Sequence, residues 1–254
     1  MRIIDFHAHL DGNWLGMKML TPAEMVAALD RAEVDAACVF TIAGFYGDCP
    51  RHNDALIART DEAPTRLIPF VTVDPKDGPA AVAELKRCLA NPRFRGVKFH
   101  PWLQAFASSM VKQTMTEILR VSAEHRAPVL FHDGTPPYST TFQVADLAYW
   151  VPEATVVLGH AGLADYTDAA AQLIRDVVNL YACYCGPRPG ELMHLVRVGG
   201  ADKVIFGSDF GPLGWELLAE RLDNVTEAEL NETELGKVLY ANAARLLRLQ
   251  ESPL

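Results

Sequence analysis

Seven residues of reactive type fall at the ends of apolar stretches in this chain. They are His7 and His9 in "DFHAH", Lys98 and His100 in "GVKFHP", His132 in "VLFHDG", His160 in "VLGHAG" and Asp209 in "IFGSDF". Side chains on an extended strand alternate with period two, so His7 and His9 share one side and can turn toward one ion. Two imidazoles, a third at His132 and the carboxylate of Asp209 form a nitrogen and oxygen donor set. Zinc suits it, as do manganese and other first-row divalent ions. Such an ion lowers the pKa of its bound water and presents hydroxide near neutral pH. His160 is then the candidate base or acid beside that water, and Asp209 can take or orient its proton while ligating the metal. Lys98 and His100 share one strand side and are expected near the pocket, with the Lys98 ammonium suited to a substrate carboxylate. Arg188, between Pro187 and Pro189, is a candidate carboxylate clamp, and Trp102 a candidate wall of the substrate pocket.

These residues converge only if the elements carrying them do. Apolar strand candidates recur at Ile3–Phe6, Ala36–Thr41, Leu67–Thr72, Phe94–Phe99, Pro128–Phe131, Thr155–Leu158, Asn179–Ala182 and Lys203–Phe206. Their interiors are continuous apolar runs, as in strands covered on both faces by helices. Between them, Thr21-Pro22-Ala23-Glu24 reads as a capping box with proline in the first turn. Helical spacing also marks Pro79 to Leu89, Ser108 to His125 and a last helix from Thr226 or Thr233 to Leu249. Strand followed by helix, eight times, predicts an α/β fold of the (β/α)8 TIM barrel type, with residues 1–254 as one domain. A doubly wound sheet is disfavoured by the absence of a glycine-rich loop after the first strand. In a barrel all strand carboxyl ends face one mouth, which brings the seven residues together.

Length and composition agree. The chain has 254 residues, half of them hydrophobic, and a formal net charge of −9 without a cluster of Lys and Arg. That excludes the electrostatic footprint of a nucleic-acid or anionic-membrane binder and points to a small-molecule substrate. Five cysteines make no disulfide framework, and no apolar run reaches spanning length. The expected location is the cytoplasm.

HxH at strand one, GxKxHP at strand four, His at strands five and six and GSD at strand eight resemble the amidohydrolase superfamily. The branch they resemble contains aminocarboxymuconate-semialdehyde decarboxylase, and "YANAARLLRL" at Tyr240–Leu249 and Arg51–Pro75 are similar to the same group. The resemblance implies a mononuclear divalent site at His7, His9, His132 and Asp209, with His160 as the catalytic histidine beside it. It also implies a homodimer as one assembly. The chemistry implied is hydrolysis of an amide, ester or lactone of a small carboxylate-bearing molecule. The alternatives are non-oxidative decarboxylation of an unsaturated or aromatic acid, with Lys98 or Arg188 holding the carboxylate, and a metal-binding scaffold without activity. In binuclear members a strand-four lysine is carboxylated and bridges two metals, which here would be Lys98.

Overall fold

The computed structural model describes residues 1–11, 13–14, 16–186, 188–211 and 214–249. Eight strands form one sheet: β1 (Ile4–Asp11), β2 (Ala36–Thr41), β3 (Leu67–Val71), β4 (Gly96–Phe99), β5 (Val129–Phe131), β6 (Val156–Leu158), β7 (Leu180–Tyr184) and β8 (Val204–Phe206). Each is hydrogen-bonded in parallel to the next. The seam between β8 and β1 is closed by the segment just past β8. The Asp209 N–H donates to the His7 carbonyl at 2.8 Å, and the His9 N–H donates to the Phe210 carbonyl at 2.8 Å. The expected (β/α)8 barrel is therefore the fold.

Period-two alternation divides the core into two layers. Cys38, Phe40, Phe70, Leu130, Val157 and Ile205 pack inside the barrel. Their neighbours Ala37, Val39, Val129, Phe131, Val156 and Phe206 pack outward against the helices. Lys98 occupies the inward phase of β4, between outward Val97 and Phe99. β1 departs from the alternation. Ile4 and Phe6 belong to the interior, but Ala8 and Leu10 belong to the outer layer. The register with β2 shifts between Asp5 and Ala8, as a β-bulge does. The shift gives the inward phase to His7 and His9.

The helices follow local signals where those are strong. Thr21 accepts from Glu24 N and closes a capping box on Pro22–Arg31. The expected helix over Ser108 to His125 is a 3-10 turn, Ser108–Val111, followed by Lys112–Glu124. The expected final helix starts at Glu232 and contains a π-helical turn at Lys237–Ala241. Three helices were not anticipated: Cys49–Thr60, Thr167–Asp176 and Trp215–Glu227. β1 also runs on to Asp11, so His7 and His9 lie within the strand rather than beyond it. Among the described residues, no helix is long and apolar enough to cross a membrane.

Candidate active site

At the carboxyl ends of the strands lies a cavity of about 330 Å³. His7, His9, Lys98, His132, His160 and Asp209 line it, joined by the further polar side chains of His100, Thr135 and Arg221. Ile42, Trp102, Leu103 and Leu217 supply apolar walls. Trp102 stands at the rim, half-exposed.

Three of these side chains form a compact donor set. His7, His9 and Asp209 each offer one ligand atom, all within 4.8 Å of one another. One oxygen, Asp209 Oδ1, lies 3.1 Å from His7 Nε2 and 3.1 Å from His9 Nε2. The tautomer of His7 follows from its other nitrogen. Nδ1 is 3.0 Å from the Gly159 carbonyl, which can only accept, so Nδ1 carries the proton. Burial, then the charge of Lys98, lowers the His7 pKa to about 4, so the ring is neutral and Nε2 holds a lone pair. A lone pair and a carboxylate oxygen pointed at each other call for a cation between them. His9 presents Nε2 to the same carboxylate oxygen, so a second imidazole nitrogen converges on that place. The donor chemistry fits a divalent transition metal.

Lys98 already supplies positive charge here. It is fully buried, its Nζ lies 3.2 Å from His7 Nε2 and 4.8 Å above the Phe40 ring, and burial lowers its pKa to about 8. Burial pushes the Asp209 pKa up, but His7, His9 and His160 outweigh it and hold the carboxylate well below its usual range. Burial also lowers His9, and it drives His100 and His160 well below the imidazole range.

His132 and His160 stand one ring further out. The His160 ring centroid is 4.8 Å from that of His7 and 4.4 Å from that of His132. His132, lowered to about 3 chiefly by burial, has Nε2 2.7 Å from Thr135 Oγ1 and stacks on His100 at 3.9 Å. Its ring nitrogens thus lie outside the compact set, although the ring lines the same cavity. A second set, His7, His160 and Cys185, shares His7. There the Cys185 thiol donates to the Gly159 carbonyl at 3.2 Å, and burial raises its pKa well above the thiol range. It is a packed, neutral thiol.

Two buried carboxylates hold the site from behind. Asp5 accepts from His7 N (3.0 Å), Ser208 N (3.0 Å) and Ser208 Oγ (2.5 Å). It thereby ties β1 to the turn that carries Asp209. Asp133 accepts from His160 N (2.7 Å), Gly162 N (2.9 Å) and Thr141 Oγ1 (2.9 Å). It caps the loop that presents His160 and leaves the His132 ring alone. Asp209 itself sits at φ 61°. Asp tolerates this left-handed region better than most residues, and strain of this kind gathers at functional sites. Gly159 and Gly207 permit the crowding beneath His7. A Cβ on Gly207 would lie 2.5 Å from Cys183 Sγ and 2.8 Å from His7 Cβ.

Of the residues anticipated from sequence, eight line this cavity: His7, His9, Lys98, His100, Trp102, His132, His160 and Asp209. Arg188 does not. It is 72% exposed, 3.6 Å from Glu191, just ahead of the helix Pro189–His194. The turn into that helix carries its side chain to solvent, and Pro187 lies outside the described residues. The cationic side chain at the cavity wall is instead Arg221, from the unanticipated helix Trp215–Glu227. Asp5 and Thr135 were also missed. A strand-end signal was available for Asp5, an acid inside an apolar run two residues before His7.

A family model described as amidohydrolase matches residues 4–249. No curated protein matches the chain significantly by sequence. Among solved structures, the fold is similar to 5-carboxyvanillate decarboxylase from Sphingomonas paucimobilis, with a TM-score of 0.79 and 16% identity over 98% of this chain and 99% of that one. It is also similar to a dihydroxybenzoic acid decarboxylase from Polaromonas with bound manganese and the inhibitor 2-nitroresorcinol, with a TM-score of 0.78 and 17% identity over 98% of each chain. A third is 2,6-dihydroxybenzoate decarboxylase from Rhizobium, with a TM-score of 0.74 and 16% identity over 98% of each chain.

Proposed function

The chain belongs to the amidohydrolase family, whose match spans residues 4–249, and from that premise we propose that it is a metal-dependent decarboxylase. It removes CO2, without oxidation, from an unsaturated or aromatic carboxylic acid. His7, His9 and Asp209 would hold one divalent ion, with His132 the further nitrogen donor of the same cavity. Zinc and manganese both suit these donors.

The observation that carries this reading is the placement of Lys98. A fully buried amino group 3.2 Å from His7 Nε2 sets a second positive centre beside the place for the ion. Two such centres favour an anion strongly, whereas a neutral amide, ester or lactone gains little from the second. A carboxylate-bearing substrate is common to this reading and to the hydrolysis that the sequence reading preferred; decarboxylation is favoured because it is the reacting group itself that would meet both positive centres. The decarboxylases to which the fold is similar support the same direction, and the manganese of the Polaromonas enzyme supports a divalent ion.

When bound, the ion would supply Lewis acidity to the substrate oxygens that meet it. Lys98 Nζ holds the reacting carboxylate. Trp102, Leu103, Ile42 and Leu217 exclude water from one side and receive a flat unsaturated body. A ring nitrogen of His160 delivers a proton to the carbon that bears the carboxyl. That carbon takes the proton with a π electron pair of the unsaturated body; the carbon–carbon bond then breaks, its electron pair restores the π bond, and CO2 leaves. Burial keeps His160 neutral at rest, so it relays the proton, taking one up for each one it gives to the carbon. His160 recovers a proton from solvent at the cavity mouth.

The test uses protein loaded with zinc or manganese, offered hydroxybenzoic and dienoic acids on one side and lactones and esters on the other. Metal-dependent CO2 release is expected from at least one acid, falling about 10²- to 10⁴-fold in His160→Asn. Hydrolysis of a lactone or ester without CO2 release would restore the hydrolase reading. Binding of metal with neither product would leave a scaffold.

A further inference from the structure

We infer that a second ligand site lies at the opposite pole of the barrel, an arginine-rimmed cavity that takes a diphosphate group, free or carried on a nucleoside. This goes beyond the decarboxylase reading and shares no lining residue with the cavity at the strand carboxyl ends.

Ile4 and Ala36 open β1 and β2, Ile68 stands second in β3, and Arg95 immediately precedes β4. They line a cavity of about 620 Å³ at the amino-terminal ends of the strands, bordered by Leu249 just past the last helix. Arg2, Arg66, Arg93, Arg95 and Arg248 line it against the single carboxylate of Asp35. The chain carries a net charge of −9, so the fold, not the composition, gathers this positive charge from distant positions. Two of the arginines are fixed by the structure around them. Arg66 donates to the carbonyls of Asp35 and Val34 and to Asp30, and Arg93 donates to the carbonyls of Thr60 and Pro64 and to Asp61. Arg2 reaches Asp35 at 4.0 Å. Arg95, half-buried, and Arg248, at the rim, make no side-chain hydrogen bond or ion pair among the described residues. Burial, then the charges of Arg95 and Arg126, lowers the Arg248 pKa, so the charges acting on it are of its own sign. Guanidiniums do not relieve such repulsion by losing a proton, and an anion offsets it. Five positive charges against one negative favour a ligand with several charges on adjacent groups, and the planar guanidinium fork matches phosphate oxygens. Ile4, Ala36, Ile68 and Leu249 add an apolar surface on which the flat base of a nucleoside can rest.

The experiment is calorimetric titration of the full chain at low salt with pyrophosphate, ADP, inorganic phosphate and citrate. It compares wild type, the double variant Arg95→Gln/Arg248→Gln, and Asp209→Asn, each confirmed as folded by circular dichroism. Pyrophosphate or ADP is expected to bind wild type about tenfold or more tightly than phosphate or citrate. The double variant should lose about tenfold or more of that affinity, whereas Asp209→Asn, altered at the other pole, should keep the tight binding. Tighter binding of ADP than of pyrophosphate assigns the site to a nucleoside diphosphate, and the reverse assigns it to the free anion. Failure of both diphosphates to bind wild type at about 1 mM, citrate binding as tight as theirs, or affinity unchanged in the double variant overturns the inference. Loss in Asp209→Asn with retention in the double variant places the anion at the catalytic cavity and also overturns it. None of these results bears on the decarboxylase reading, which stands or falls on CO2 release.

Discussion

Asp209 is held at φ 61° with its carboxylate facing two imidazoles, a conformation and a charge placement that local sequence does not favour. Asp5 is the residue that holds it there, through three hydrogen bonds to His7 N and to Ser208. Asp5→Asn keeps the volume but replaces one accepting oxygen with a donating amide. The expected result is a folded protein whose metal affinity falls about 10- to 100-fold, measured by chelator competition. An unchanged affinity would reduce Asp5 to a packing role. At this scale the sequence was readable where residue type and strand phase coincide, as for His7, His9, Lys98, His160 and Asp209. It was not readable where direction depends on a turn. Arg188, braced by prolines, looked rigid enough to clamp a ligand but leads into a short helix and points to solvent. Arg221 has no motif around it and reaches the cavity because its helix crosses the mouth.

Among the elements, β1 and β8 position the ion site together, and the β-bulge in β1 is what allows it. Strict alternation would have given Phe6 and His7 opposite faces. The shifted register lets Phe6 fill the barrel interior while His7 and His9 face the cavity. No residue between Asp5 and Ala8 announces that shift, since neither Gly nor Asn marks it. The eight strand candidates and the Thr21 capping box were legible because apolar runs and local caps are short-range signals. The helix Trp215–Glu227 was hidden by the glycine and proline of the loop before it. The close approach of β1 and β8 depends on Gly207, where a Cβ would meet Cys183 Sγ at 2.5 Å and His7 Cβ at 2.8 Å. Gly207→Ala is therefore expected to cost about 1–3 kcal/mol by urea denaturation and to weaken metal binding with it. Loss of stability with full metal affinity would separate the seam from the site.

The whole molecule carries its site as a buried, charge-poor cluster of imidazoles, and this sets its response to pH. His7 (about 4), His132 (about 3), His9, His100 and His160 all have folded pKa values below the ordinary 6.5. Their contribution to stability is present above 6.5 and is lost as pH falls toward those lower values. Asp5 (about 7) and Asp133 (about 6), raised from 3.8 by burial, act in the opposite sense. They stabilise at low pH, and their contribution is lost as pH rises through those values. Five histidines outweigh two carboxylates between pH 7 and 5. The metal-free protein should therefore be less stable at pH 5 than at pH 7 by at least about 2 kcal/mol in urea. Equal midpoints at the two pH values would mean that the histidines are not buried neutral.

The central claim is one divalent ion held by His7, His9 and Asp209, and elemental analysis of protein purified without added metal or a metal-binding tag tests it directly. About one transition-metal ion per chain is expected in wild type, with a large loss in Asp209→Asn under the same conditions. Near two ions per chain would contradict the single site and make Lys98 a carboxylated bridge. No ion, even after incubation with zinc or manganese, would contradict the account as a whole.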